Sequence, residues 1–132
     1  IQSKTDVMIK SIQMHDDDVK EAKSPARVGL SLKNIKPDEI SRGDILSNDS
    51  SIRILDELSL KFEPNKFYKN TISENEMCLV NIGMQIKSGK FISVSPVKLK
   101  LDKPMTVLQN DVCILLKPES KSIRIIGKGV IQ

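Results

Sequence analysis

The sequence contains few aromatic residues: three Phe, one Tyr and no Trp among 132 residues. Proteins that hold single-stranded nucleic acid by stacking its bases need exposed rings. The shortage argues against a stacking surface of that kind, so we expect any contact with nucleic acid to be made mainly to phosphates. With 39% hydrophobic and 29% charged residues, the composition is that of a folded globular protein rather than a disordered one.

Cysteine and histidine are also scarce. Cys78 and Cys113 lie in separate apolar runs without the CxxC spacing of a zinc site, which favours buried reduced thiols over a disulfide. The single histidine begins His15-Asp16-Asp17-Asp18. Adjacent residues cannot all converge on one ion, so we expect a solvated acidic turn rather than a metal site. Because the sequence indicates no candidate nucleophile beside this histidine, we expect no catalytic residues and no enzyme activity.

Long hydrophobic runs are missing as well. No stretch approaches the ~20 apolar residues that span a bilayer, and the first residues do not have the pattern of a secretory signal. We therefore expect a cytoplasmic protein without a membrane partner.

The net charge of +4 is distributed unevenly. Residues 1–84 hold 12 Lys and Arg against 14 Asp and Glu, whereas residues 85–132 hold 9 against 3, so the last third carries +6 and the rest −2. This asymmetry fits a polyanionic partner at one end of the molecule. Ordinary solvated lysines on outward strand faces would give the same count.

Alternation of apolar and polar residues dominates the sequence, and helical periodicity is almost absent. At least seven short strands separated by turn residues predict an all-β protein built from antiparallel barrels. The predicted inward faces are Val28, Leu30 and Leu32; Leu58, Leu60 and Phe62; one long run of Cys78, Val80, Ile82, Met84 and Ile86; Val97, Leu99 and Leu101; Val112, Ile114 and Leu116; and Ile123 with Ile125.

A single helical turn is predicted at Pro37–Ile40 and is expected to end at Arg42-Gly43. The polar run 47–51 resembles a linker and divides the chain into residues 1–48 and 52–132. The second piece is long enough for a small closed barrel. The first is too short for one, so we expect an incomplete barrel with an open edge that the second piece or another chain covers.

The strand, acidic turn, second strand, one-turn helix and Arg-Gly turn of residues 10–46 resemble the second half of the β-barrel beside the GTPase domain of SelB-type translation elongation factors. Elongation factor Tu is a more distant likeness. Residues 52–132 resemble the third domain of the same factors, with FEPNKFYKN leading in, CLVNIGMQI central and SIRIIGKGVI as the closing strand. The resemblance implies a partial domain II at residues 1–48 and a domain III barrel at residues 52–132.

The resemblance also implies a function. The parent factor would bind GTP and Mg²⁺ through a G domain that this chain lacks, and would deliver selenocysteyl-tRNA or another aminoacyl-tRNA to the ribosome. No cofactor and no DNA partner are expected for the chain itself, since neither GxxxxGK[ST] nor NKxD occurs in it. Strand bends or bulges are the expected use of Gly127 and Gly129. The chain is interpreted as a fragment of a longer, archaeal-like factor.

Arg27 matches by position the family arginine that lines the aminoacyl pocket; a surface arginine paired with an acid such as Glu21 is the alternative. The candidate tRNA phosphate contacts are Lys98, Lys100, Lys117, Lys121, Arg124 and Lys128. A protein-interaction β-barrel module of a translation-factor-like GTPase, with no direct role in tRNA binding, is the alternative function. Binding to phosphates weakens steeply with salt and an apolar interface does not, which separates the two.

Overall fold

The computed structural model describes residues 4–132, so the first three residues of the predicted N-terminal piece lie outside it. The described chain forms two compact units, residues 4–41 and residues 42–132. The polar run 47–51 therefore lies with the C-terminal unit. The predicted domain limits, 1–48 and 52–132, stay a prediction.

The N-terminal unit is a three-stranded antiparallel sheet in the order β2-β1-β3. Its strands are β1 (Met8–Met14), β2 (Asp17–Val19) and β3 (Gly29–Lys33). Among the described residues, β2 and β3 each pair on one side only, and no residue from 4 to 41 is fully buried. A sheet this small and open cannot close, which agrees with the predicted incomplete first barrel.

The acidic run forms the turn between β1 and β2. His15 and Asp16 have positive φ angles of 50° and 66°, the arrangement that a two-residue turn needs to match the twist of its strands. Asp18 accepts a hydrogen bond of 2.9 Å from the Gln13 side chain across the hairpin. The prediction of a solvated turn is confirmed.

The predicted helical turn is a 3₁₀ helix at Pro37–Glu39. The Lys36 N–H donates to the Glu39 carboxylate at 2.7 Å, which satisfies one of the unpaired donors at this end. The expected end at Arg42-Gly43 was wrong, because Ile40 already has extended backbone angles, φ −104° and ψ 129°.

The C-terminal unit is a closed six-stranded antiparallel barrel in the order β4-β7-β6-β5-β8-β9. β4 closes it by pairing with β7 through its first half and with β9 through its second. The strands are β4 (Arg53–Pro64), β5 (Met77–Ile82), β6 (Gln85–Val94), β7 (Val97–Val107), β8 (Val112–Leu116) and β9 (Ile125–Ile131). Closure removes exposed sheet edges.

The barrel interior holds the buried apolar residues of the described chain. They are inward-facing residues of the six strands, along which apolar and polar residues alternate as the sequence predicts: Leu58, Leu60, Cys78, Val80, Ile82, Phe91, Val97, Leu99, Leu101, Met105, Val107, Cys113, Leu115, Ile126 and Ile131. Both cysteines are free and buried, which confirms the expectation of reduced thiols.

Three predicted strand faces were wrong. The run from Cys78 to Ile86 is a hairpin, since Ile82 pairs with Gln85 across a two-residue turn at Gly83, and Ile86 faces outward with 59% of its surface exposed. In β8 the buried residues are Cys113 and Leu115, the opposite face to the one predicted. Ile123 precedes β9 and Ile125 begins it, and both are partly exposed.

Gly127 and Gly129 lie inside β9. A Cβ on Gly127 would collide with the Glu63 carbonyl oxygen and approach the Phe62 ring to 2.8 Å, and one on Gly129 would come within 2.9 Å of Leu60. A register shift between Leu115 and Leu116 also places a bulge beside Gly127. The bulge was predicted; the close approach of β9 to β4 is the further reason for glycine.

Candidate nucleic-acid interface

The six predicted phosphate contacts occupy two places on the barrel. Lys98, Lys100 and Lys128 project outward from strands, whereas the other three belong to the segment between β8 and β9. All but Lys117 are exposed.

Cations from the three adjacent strands β7, β4 and β9 lie in one line along the outward-facing residues of β4. Glu57 is opposite Lys100, and Ser59 is opposite Lys98, both on β7. Further along, Lys61 itself faces outward, and Glu63 is opposite Lys128 on β9. Residues 57 to 63 of an extended strand span roughly 20 Å. We call Lys100, Lys98, Lys61 and Lys128 the basic band.

The two ends of the basic band carry ion pairs. Lys100 contacts Asp56 at 2.9 Å and Glu57 at 3.2 Å, and these hydrogen bonds raise the pKa of its ammonium group. Lys128 contacts Glu63 at 3.1 Å. Exposed pairs of this kind contribute little to stability, so a phosphate can compete with the carboxylates for these lysines.

The middle of the band is free of acids. Neither Lys98 nor Lys61 has a carboxylate within ion-pair distance among residues 4–132, and both side chains are exposed. Their charge is available to a partner without breaking an internal contact. Sequence reasoning missed Lys61, although its position between the inward residues Leu60 and Phe62 marked it as outward.

Lys117 is the least suited of the six. Its ammonium group contacts Glu76 at 2.7 Å, only 19% of its side chain is exposed, and the hydrogen bond to Glu76 raises its pKa. The Lys117 N–H also donates to the Arg124 carbonyl at 2.7 Å, closing the segment that carries Lys121 and Arg124. These two side chains are exposed and have no ion pair within the described part of the chain.

Arg27 lies two residues before β3 and is exposed. Its alternative partner, Glu21, contacts Lys23 at 3.7 Å. The other predicted site residues all belong to the C-terminal unit, residues 42–132. Its assignment to an aminoacyl pocket stays a prediction.

An open cleft of about 320 Å³ lies at the end of the barrel where β4 ends. Its floor is apolar, and Asn70 and Thr71 supply polar groups. The segment after β4 turns sharply and is tied to the start of β9 by Asn65, whose side chain donates to the Ile125 carbonyl at 2.9 Å. The residues that line the cleft are Phe62, Pro64, Tyr68, Asn70, Thr71, Ile72, Val94 and Ile126.

No protein-family model matches this sequence. An uncharacterized protein of Methanocaldococcus jannaschii is 38% identical over 124 residues, which cover 92% of the chain and 40% of that protein. The selenocysteine-specific elongation factor of the same organism is 31% identical over 80 residues, which cover 60% of the chain and 17% of the factor. The chain thus spans less than half the length of either relative.

Two crystal structures of the translation elongation factor SelB from Methanococcus maripaludis superpose on 96% of the chain at 22% identity. The TM-score is 0.80 for the apo form and 0.81 for the complex with the GTP analogue GppNHp, and the match covers 33% of each SelB chain. The chain has the fold of the part of SelB that it matches. The predicted resemblance to SelB-type factors and the all-β barrel architecture are confirmed.

Among residues 4–132, no helix has the length and apolar character needed to cross a membrane.

Proposed function

We propose that this chain is the tRNA-binding barrel region of a SelB-like elongation factor, and that the whole protein delivers aminoacyl-tRNA to the ribosome in the cytoplasm with the use of GTP. The observation that carries the proposal is the likeness to SelB over 96% of the chain, together with the sequence match to a selenocysteine-specific elongation factor. The basic band supplies a surface that suits the phosphates of an RNA stem.

The barrel contributes affinity rather than chemistry in this proposal. Lys98 and Lys61 contact phosphates directly, and the lysines at the two ends of the band exchange their carboxylate partners for phosphate oxygens as RNA binds. Binding of this kind fixes position and carries little sequence information, which fits a factor that holds a tRNA by its stem.

GTP and Mg²⁺ are assigned to another part of the parent. Gly127-Lys128-Gly129 does not fit a phosphate loop, because Lys128 contacts Glu63 and both glycines pack closely against neighbouring strands. The proposal therefore gives residues 127–129 no role in binding the nucleotide.

The test is the salt dependence of tRNA binding by this chain, measured by fluorescence anisotropy between about 50 and 300 mM KCl. The logarithm of the association constant should fall with a slope of roughly 0.7 to 0.9 per phosphate contact, or about 2 to 4 in total for the basic band. Absence of binding at low salt, or binding that salt does not weaken, would contradict the proposal.

A second candidate is supported by an apolar outer surface on the opposite side of the barrel. Val112 on β8 is 54% exposed and Ile86 on β6 is 59% exposed. Ile86 and Ile114 of β8 lie on the two sides of Asn81, which is opposite both of them on β5. Exposed apolar patches mark protein–protein contacts. If the chain is a protein-interaction barrel, Ile86→Lys should abolish association with the partner protein, and high salt should have little effect on it.

A further inference from the structure

The few aromatic residues of this chain are not dispersed. Phe91 is in the core, and the other three lie at one end of the barrel: Phe62 near the end of β4, and Phe67 and Tyr68 in the segment that follows. Composition alone argued against base stacking, but the fold concentrates three of the four rings in one place.

Two of these rings line the open cleft. Phe62 and Tyr68 are half-buried against the core, and Asn70 and Thr71 add donors and acceptors. Small-molecule sites range from about 300 to 1,000 Å³. At about 320 Å³, the cleft suits a single planar ring system better than a larger ligand.

The segment that carries the rings is fixed in place before any ligand binds. The Asn65 N–H donates to the Ile126 carbonyl at 2.8 Å, and the Asn65 carbonyl accepts from the Tyr68 N–H at 2.9 Å. The Asn65 side-chain oxygen accepts from the Phe67 N–H at 3.1 Å. Phe67 is nonetheless 61% exposed, so the turn holds a large apolar ring in water. A rigid turn lowers the entropy lost on binding.

Cations surround this end of the barrel. The Lys66 ammonium group lies 5.0 Å from the centre of the Phe67 ring, and the Lys69 ammonium group donates to the Lys66 carbonyl at 3.2 Å. The strand order brings the segment between β8 and β9, with Lys121 and Arg124, to the same end, because Asn65 bonds to the first residue of β9. Three acids, Glu74, Glu76 and Glu119, lie in the same segments, and Glu76 contacts Lys117. The cations remain in excess, because the two segments hold five: Lys66, Lys69, Lys117, Lys121 and Arg124.

We propose that this end of the barrel binds unpaired nucleotides of an RNA, with one base in the cleft against Tyr68, a neighbouring base on the exposed ring of Phe67, and the adjoining phosphate on the lysines of the turn. Rings flanked by cations on a preformed turn are what single-stranded nucleic acid binding uses. The inference rests on the proposed RNA-binding function but uses residues separate from the basic band, so each can fail without the other.

The chain supplies its own reporter, since Tyr68 is its only tyrosine and there is no tryptophan. Hexauridylate is added to the chain at low salt, and Tyr68 emission is corrected for absorbance with free tyrosine. We expect saturable quenching that uridine monophosphate at the same nucleotide concentration reproduces only weakly. Equal affinity for the mononucleotide would reject an RNA ligand in favour of a free nucleotide, and no quenching by either would overturn the site.

Variants assign the quenching to the turn. Phe67→Leu keeps an exposed apolar side chain and the reporter, and should raise the dissociation constant for hexauridylate about fivefold or more, the lower end of what one stacked base contributes. Lys66→Gln should weaken binding and reduce its salt dependence. The control is Lys103→Gln, in the middle of β7, which should change nothing. An unchanged dissociation constant for hexauridylate in Phe67→Leu would contradict the inference.

The two proposals are separated by tRNA itself. If Phe67→Leu leaves tRNA affinity unchanged while charge removal in the basic band lowers it, the nucleotide site is rejected and the stem-binding proposal stands. If hexauridylate binds at Tyr68 but the basic band has no effect on tRNA affinity, the opposite holds.

Discussion

Gln85 offers a sharp test of the barrel structure, because it is the buried polar side chain of the core, with only 3% of its surface exposed. Its amide nitrogen donates to the Thr106 carbonyl at 2.8 Å, and its amide oxygen accepts from the Thr106 N–H at 3.0 Å. The ladder between β6 and β7 runs only from Gly89↔Leu101 to Val94↔Val97, so the side chain of Gln85 replaces the backbone partner that Thr106 lacks there.

Replacing this amide by an apolar side chain of similar size, Gln85→Leu, removes both hydrogen bonds. A buried backbone group left without a partner costs about 1–3 kcal/mol. Thr106 is half-buried, so water recovers part of the loss for its two groups. We expect the free energy of unfolding to fall by about 2 kcal/mol. For a barrel of this size that lowers the melting temperature by roughly 8–16 °C.

Gln85→Glu distinguishes hydrogen bonding from packing. A protonated carboxyl can accept from the Thr106 N–H and donate to the Thr106 carbonyl, whereas a carboxylate faces that carbonyl with a second acceptor. Burial should raise the pKa of the new carboxyl above its unfolded value of about 4.3. Since the folded pKa is the higher one, the stability is present below about pH 4.3 and is lost as pH rises through the folded pKa.

Urea unfolding followed by Tyr68 fluorescence and far-ultraviolet circular dichroism measures both effects. Gln109→Leu, an exposed turn position on the same unit, is the matched control and should stay within about 0.5 kcal/mol of the parent chain. A Gln85→Leu variant as stable as that control, or a Gln85→Glu variant whose stability relative to the parent does not depend on pH, would refute the role given to this side chain.

Three further predictions concern other parts of the chain. Burial raises the pKa of Cys78 to about 12 and of Cys113 to about 11, from 9.0, so the contribution of the two thiols to the free energy of unfolding is fully present below pH 9 and should fall above it by about 1.4 kcal/mol per pH unit for each thiol. Urea unfolding at alkaline pH should show this decline in the parent chain and not in the Cys78→Ala, Cys113→Ala double variant. An unchanged decline in the variant would contradict the burial. Gly127→Ala should cost at least about 2 kcal/mol through its collision with β4, measured by thermal unfolding, whereas Gly29→Ala, whose Cβ would have no neighbour nearer than 3.8 Å, should not. In the intact factor, Arg27→Ala should weaken binding of aminoacyl-tRNA and spare deacylated tRNA in a filter-binding comparison; equal effects on both would reject the pocket role.

The sequence predicted the architecture because alternation and turn residues are local signals. It failed where a single turn decides the face of a strand. Gly83 introduces a two-residue turn inside an apparently continuous apolar run, so Gln85 takes the core position and Ile86 the outer one. In β8 every residue from Val112 to Leu116 is apolar, and alternation cannot tell the two faces apart.

The candidate interface was only partly predictable for a different reason. Charge counts locate lysines along the chain but not their carboxylate partners, which come from distant strands: Glu63 for Lys128 and Glu76 for Lys117. The barrel register also moves Lys61, from the acidic part of the sequence, in line with Lys98. The gathering of aromatic rings around Tyr68 likewise depends on how β9 closes the barrel against β4, which no local pattern shows.

The most direct test of the central claim is the salt slope of tRNA binding for Lys98→Gln compared with Lys103→Gln. Both remove one exposed lysine of β7, but only Lys98 belongs to the basic band. Removing a phosphate contact should lower the magnitude of the log–log slope by about 0.7 to 0.9 and weaken binding at low salt, while the control keeps both values. Identical slopes for the two variants and the parent chain would contradict the claim that this barrel binds RNA through the band.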